Sequence, residues 1–225
     1  MAEIGMYSNL IRIFGIAVML SMLSACGDTG KARQMMEGAI AAQPEEKKII
    51  EFFMYTCPHC KNMEPTVNSW QAKQSILFQQ GIYTFEQIPA IFSANWGSDS
   101  KNGEREAIIY YTLRRMGLEL SLRAHVFAAI QDKSLDASDP QSIAAFLAKE
   151  GIPAQEFNST MKSAEVKADV GRAEQMTRQY GVYSVPVFIL FNRSIIMAQD
   201  YADNNAVEAA LLSTVKQHYT QAGAK

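Results

Sequence analysis

Cys57-Pro58-His59-Cys60 holds the residues of this 225-residue chain best suited to chemistry. At this spacing two thiols can close a disulfide and exchange it with another dithiol, or they can supply half of a tetrahedral metal site. The run Ile49-Ile50-Glu51-Phe52-Phe53-Met54-Tyr55 ahead of the pair is apolar, aromatic and β-favouring, and reads as a buried strand. Pro58 suits the first turn of a helix, where its missing N–H has no intrahelical acceptor to lose. Cys57 is therefore expected at or just before a helix N-terminus, where unpaired N–H groups and the helix dipole favour the thiolate. Since the thiolate is the reactive species, a pair placed this way is first a redox device, and His59 adds a donor or cationic group near the same sulfur. A zinc site lacks ligands: no second Cys-x-x-Cys exists, His59 cannot readily join both its neighbours on one ion, and His125 and His218 sit in ordinary helix contexts. No metal is expected, and no cofactor beyond a redox-active Cys57–Cys60 disulfide.

Glu51 stands in an otherwise apolar strand, where an unpaired carboxylate is costly. It is read as protonated or as a proton acceptor near Cys60, with an exposed edge-strand position as the plainer alternative. Pro186 opens the apolar run Val187–Phe191 and follows Val185. Proline removes a ladder donor and belongs at a strand's start or edge; residue type alone favours a trans bond there.

The elements that must carry these residues follow from period and punctuation. A strand over 49–55, a helix over 58–74 with Pro65 inside it, and a second strand over 82–89 make a βαβ unit, which favours parallel pairing. Proline in the helix interior is expected to kink it. The texture then turns helical. Helices are expected over 104–116 and 121–131, over 140–149 behind the cap and first-turn pair Asp139-Pro140, then a short one after Pro153 and a long one over 164–180. Gly117, Gly151 and Gly181 are the stops. This block, at about 98–181, reads as an inserted helical subdomain. A hairpin turning at Asn192-Arg193 and a terminal helix over 205–219 complete the chain.

The N-terminus is different in kind. Ile11 to Ala25 is nearly all apolar and stops at Cys26-Gly27-Asp28, as a secretory leader over 1–25 would. Leu23-Ser24-Ala25-Cys26 resembles the bacterial lipoprotein box, which implies cleavage before Cys26 and lipid attachment to its sulfur. Residues 26–48 are then a linker or leader, with a short helix at 32–42. Of the three cysteines, one carries lipid and two form the redox pair, in the oxidising compartment that a signal sequence implies. A formal net charge of -2 gives no electrostatic case for nucleic acid.

Strand, Cys57-Pro58-His59-Cys60 and helical insertion together resemble the DsbA family of periplasmic thiol oxidases. Pro58-His59 between the cysteines, Glu51-Phe52-Phe53 in the strand before them and Val185-Pro186 carry the resemblance, which covers most of the chain from 49 to 219. It implies an α/β thioredoxin-like fold with an inserted α-helical subdomain over 49–221, an acidic Cys57 thiol in an oxidising pair, and a cis Val185–Pro186 loop facing the disulfide and binding substrate. Cys57 would form the mixed disulfide and Cys60 resolve it, with His59 contributing most in the reduced state. It also implies reduced or unfolded envelope proteins as substrates and a DsbB-like membrane quinone reductase as recycling partner; with lipid on Cys26, the expectation is a monomer held at the inner or outer membrane of a Gram-negative bacterium. The alternatives are an isomerase or reductase of the DsbC or DsbG type, or a redox-silent chaperone on the same fold. The first usually carries an N-terminal dimerisation domain, which 27–48 is too short to supply, and often threonine where this chain has Val185. Met63, Trp96 and Tyr183 are candidates to line a groove for unfolded chains, against a plainer role in packing.

Overall fold

The computed structural model describes residues 27–92 and 100–223. Cys26, the leader over 1–25 and Trp96 lie outside those residues.

Strand β1 (Lys48–Phe53) sits inside a four-stranded sheet. It pairs in parallel with β2 (Thr84–Pro89) on one side and antiparallel with β3 (Val187–Leu190) on the other, and β3 pairs antiparallel with β4 (Ser194–Met197). With partners on both edges and both faces covered, β1 needs the apolar run that its sequence shows, interrupted only by Glu51 after its first residue, Lys48. Met54 and Tyr55, expected in the strand, leave it because the Cys57 N–H turns back to the Met54 carbonyl at 3.2 Å. Helix α2 (Pro58–Lys73), continuous through Pro65, and the short α3 (Ser75–Gln79) make the crossover to β2.

The hairpin turns one residue earlier than expected. Arg193 N–H donates to the Leu190 carbonyl at 2.9 Å, and the central residues Phe191 and Asn192 have φ of 61° and 55°, the mirror-image turn that suits twisted strands. Asparagine tolerates this backbone, whereas phenylalanine has to be held in it. Phe191 is buried and stacks on His218 of the terminal helix α9 (Asn204–Gly223), ring centroids 3.8 Å apart.

Each face of the sheet has its own core. Ile49, Phe188 and Leu190 pack with Met63, Val67 and Trp70 of α2 and with Val207, Leu211 and Val215 of α9. The opposite face meets the insertion: α4 (Ser100–Arg115), α5 (Glu119–Gln131), α6 (Pro140–Lys149), α7 (Ala154–Met161) and α8 (Ala164–Gln179). There Ile50, Phe52 and Phe53 join Tyr110, Phe127, Phe157, Val166 and Ala173. The Asp139 carboxylate caps α6 through the Gln141 N–H, as expected. The architecture is the expected thioredoxin-like α/β fold with an inserted helical subdomain.

Residues 26–48, expected to be a linker or leader with a short helix at 32–42, are in their described part largely a longer helix, α1 (Gly27–Ala41), whose Met36 and Ile40 are buried in the core. Their i, i+4 spacing puts both on one face. Gly181, at φ 63°, ends α8 and makes room for α1, since a Cβ there would lie 3.4 Å from the Met36 Cα.

Candidate active site

Cys57 is the N-cap of α2, with extended backbone (φ −79°, ψ 114°), and Pro58 follows at the first helical position. Its sulfur accepts the Cys60 N–H at 3.4 Å, one of the donors that a helix start leaves unpaired. Both cysteines are free thiols, Cys57 half-buried and Cys60 buried. The Cys57 thiol is lowered to about 6. The hydrogen bond from the Cys60 thiol is the largest cause; burial opposes it; the Cys60 and His59 amides and then the His59 charge add to it. His59, an exposed residue, thus acts on Cys57 partly through its backbone. Burial and the hydrogen bond to Cys57 push the Cys60 thiol far up. The negative charge of the reduced pair therefore rests on Cys57, the sulfur that solvent can reach.

Glu51 is fully buried, so the exposed edge-strand alternative is excluded. On a strand its side chain shares the face of Ile49, toward α2. One carboxylate oxygen accepts from Gln87 Nε2 of β2 at 2.7 Å, and the other has no hydrogen-bond partner among the described residues. Burial, then the Glu64 charge, raises this carboxyl to about 7, and its own charge helps to push Cys60 up. It is thus poised to hold or release a proton near neutral pH.

Val185–Pro186 is a cis peptide bond, where residue type alone favoured trans. The Cys57 thiol donates to the Val185 carbonyl at 3.6 Å, which brings the two distant candidate segments together. Beside them lies a groove of about 640 Å³ lined by His59, Asn62, Met63, Ser184, Val185 and Pro186, among others. Met63 serves both readings, lining the groove while 1% exposed. Tyr183 packs against the core and donates to the Met197 sulfur at 3.3 Å.

The insertion contributes residues that sequence inspection did not single out. Glu106 of α4 accepts the backbone N–H groups of Tyr55 and Thr56 at 2.7 and 3.2 Å. Gln131, the last residue of α5, donates to the carbonyls of Tyr55 and Cys57 at 2.9 and 3.1 Å. The segment that presents Cys57 is therefore gripped on its N–H groups by one inserted helix and on its carbonyls by another. Helical period marks such residues only as facing inward or outward, without naming what they face. Among the described residues, no group of three or more His, Cys, Asp or Glu is arranged to hold a metal ion, and no helix is long and apolar enough to cross a membrane.

Comparison with known proteins agrees with this architecture. The family model described as DSBA-like thioredoxin domain matches residues 80–210. The thiol:disulfide interchange protein DsbA of Pseudomonas syringae pv. tomato is 31% identical over 164 residues, 72% of this chain and 71% of the relative. That of Pseudomonas aeruginosa is 28% identical over 184 residues, 80% and 82% of the two chains. The crystal structure of Pseudomonas aeruginosa DsbA superposes with a TM-score of 0.64 at 26% identity, covering 82% of this chain and 89% of that one. Fold and relatives together define a thiol:disulfide interchange oxidoreductase on a thioredoxin-like domain. More narrowly, the chain belongs to the DsbA family.

Proposed function

We propose that the chain is a periplasmic oxidase that introduces disulfides into reduced or unfolded envelope proteins through Cys57 and Cys60. The observation that carries this reading is the asymmetry of the pair: an acidic, solvent-reachable Cys57 at a helix cap opposite cis Val185–Pro186, backed by a buried Cys60 with a raised pKa. A substrate thiolate attacks the Cys57 sulfur of the disulfide; the Cys57–Cys60 bond breaks, and Cys60 leaves with the electron pair and takes up a proton. The substrate's second thiolate attacks its own sulfur in the mixed disulfide and expels Cys57 as a thiolate. Two electrons have then passed to the pair, and the substrate holds a new disulfide. Because the leaving Cys57 thiolate is stabilised, the dithiol form is stabilised and the disulfide form is the better oxidant.

Glu51 is the group placed to exchange a proton with Cys60 in these steps, and the Val185 backbone is the edge on which an extended substrate segment pairs. Reoxidation falls to a DsbB-like membrane quinone reductase. The expected result is a reduction potential well above that of thioredoxin, about −270 mV, with a Cys57 thiolate titrating near 6. A potential as low as thioredoxin's, or a thiol titrating near 8.5 like free cysteine, removes the oxidase reading. Cys26, in its lipoprotein-box context, tethers this monomer to the inner or outer membrane. Metabolic labelling with palmitate should mark the chain and be lost in Cys26→Ser; label that survives the substitution, or never appears, removes the tether.

A further inference from the structure

Glu106 is a carboxylate that the exchange steps above do not use, and its setting is unusual. It is 2% exposed, lies toward the middle of α4, and belongs to a helix that shares no contiguous sequence with the redox pair. One of its oxygens accepts two successive backbone N–H groups, those of Tyr55 and Thr56, and the second of these residues is bonded directly to Cys57. Its other oxygen is buried without a hydrogen-bond partner among the described residues. A small cavity of about 390 Å³ adjoins it, lined also by Thr56, Asn102, Lys133, Leu135 and Asp136. Holding two amides needs only a carbonyl-type oxygen, so a neutral glutamine would meet that need without the cost of burying an ionisable group. A carboxylate at this point adds something an amide would not, a negative charge next to the sulfur whose own negative charge the reaction makes and removes.

We propose that Glu106 is a positioning residue of the redox centre: reaching in from the helical insertion, its carboxylate holds the Tyr55–Thr56 backbone that presents Cys57, and its charge limits how firmly that sulfur keeps its own. The two acidic groups oppose each other. Burial, the largest cause, raises the Glu106 carboxyl to about 7, and the Cys57 charge adds to that rise. By reciprocity, an ionised Glu106 disfavours the Cys57 thiolate. The helix cap at Cys60 and His59 therefore sets a strongly stabilised thiolate, and the insertion moderates it. This inference rests on the reading of Cys57 as the acidic exchanging thiol.

Glu106→Gln separates the two parts of the role, since the amide oxygen still accepts from Tyr55 and Thr56 while the charge is gone. In the full chain at pH 8, above the value of about 7 to which the Glu106 carboxyl is raised, the expected result is a glutathione equilibrium shifted roughly three-fold toward the dithiol, so the variant is the more oxidising protein. At pH 5, where Glu106 is protonated and carries no charge, the difference from wild type should vanish. Redox titration against glutathione at the two pH values reads both. Glu106→Ala removes the acceptor as well and should lower the unfolding midpoint, which Glu106→Gln should largely preserve. A glutathione equilibrium at pH 8 that is unchanged, or shifted toward the disulfide, in a folded Glu106→Gln overturns the proposal and leaves Glu106 a structural residue. If instead the wild-type protein shows no acidic thiol at all, the reading of Cys57 fails first, and the inference falls with it. Should Glu106→Gln fail to fold, the wild-type protein decides: the Glu106 carboxyl, followed by carbon-13 NMR, should titrate at higher pH in the dithiol form than in the disulfide form, and equal titration in the two forms overturns the proposal.

Discussion

Cys57→Ser should reduce disulfide transfer to background, a fall of at least about 10³-fold, the scale of loss when an enzyme's nucleophile is removed. Serine preserves the size of the side chain and its place at the helix cap, so the loss reports sulfur chemistry and not unfolding. Cys60→Ser should fail differently. Cys57 would still form a mixed disulfide with a substrate thiol, but no neighbouring thiol would remain to release it. The contrast follows from burial and charge: Cys57 is half-buried and acidic, whereas Cys60 is fully buried with a raised pKa. Mass spectrometry of protein recovered with a disulfide-linked partner reads the difference. Adducts trapped through Cys57 in Cys60→Ser, and none in Cys57→Ser, are expected; adducts through Cys60 would reverse the assignment, and disulfide transfer retained by Cys57→Ser would make the redox pair incidental.

The residues that govern this experiment were legible in sequence to very different degrees. The helix start at Cys57-Pro58 was readable because capping is a local matter of a few residues and their backbone angles. For the same reason Asp139 and Gly181 marked the ends of α6 and α8. Glu51 was readable as a carboxylate in an apolar strand, but period two cannot distinguish a central strand from an edge, and that depends on pairing with β2 and β3. Residue type favoured trans at Val185–Pro186, and only the family resemblance pointed to the cis bond that the structure contains. Helix α1 was missed as part of the core because its polar and small residues outnumber the two apolar contacts, Met36 and Ile40, that fix it. Glu106, Gln131 and Arg123 left no usable signal. Each acts on a segment 50 or more residues away, and an inward-facing polar residue on a helix reads as a surface residue until its partner is known.

Arg123 has the largest expected effect on stability. Its guanidinium, on α5 and 4% exposed, forks onto Glu64 of α2 at 2.6 and 2.8 Å and reaches Glu119 at 2.9 Å. It also lies over the Phe53 ring, 4.0 Å from the centroid. This contact joins the insertion to the active-site helix, and the planar fork is what lets one side chain serve two carboxylates and an aromatic face. Arg123→Met keeps the apolar stem but strands two nearly buried carboxylates, whose side chains are 13% and 11% exposed. Breaking one side of such a pair costs about 3–5 kcal/mol, a large share of the roughly 5–15 kcal/mol that holds a domain together. The urea midpoint should fall accordingly, with the slope unchanged. Most of the loss comes from uncompensated charge, so adding Glu64→Gln and Glu119→Gln to Arg123→Met should recover much of it. Arg123→Met alone within about 1 kcal/mol of wild type would place the pair among weak exposed contacts. An equal loss in the triple variant would instead assign the stabilisation to the guanidinium's packing on Phe53. The same substitution should be felt at the redox pair, because the Arg123 charge lowers the Glu51 carboxyl. Without it Glu51 should hold its proton to higher pH and so be less often ionised near neutral pH, an effect that the triple variant should reduce by also removing the Glu64 charge that raises Glu51.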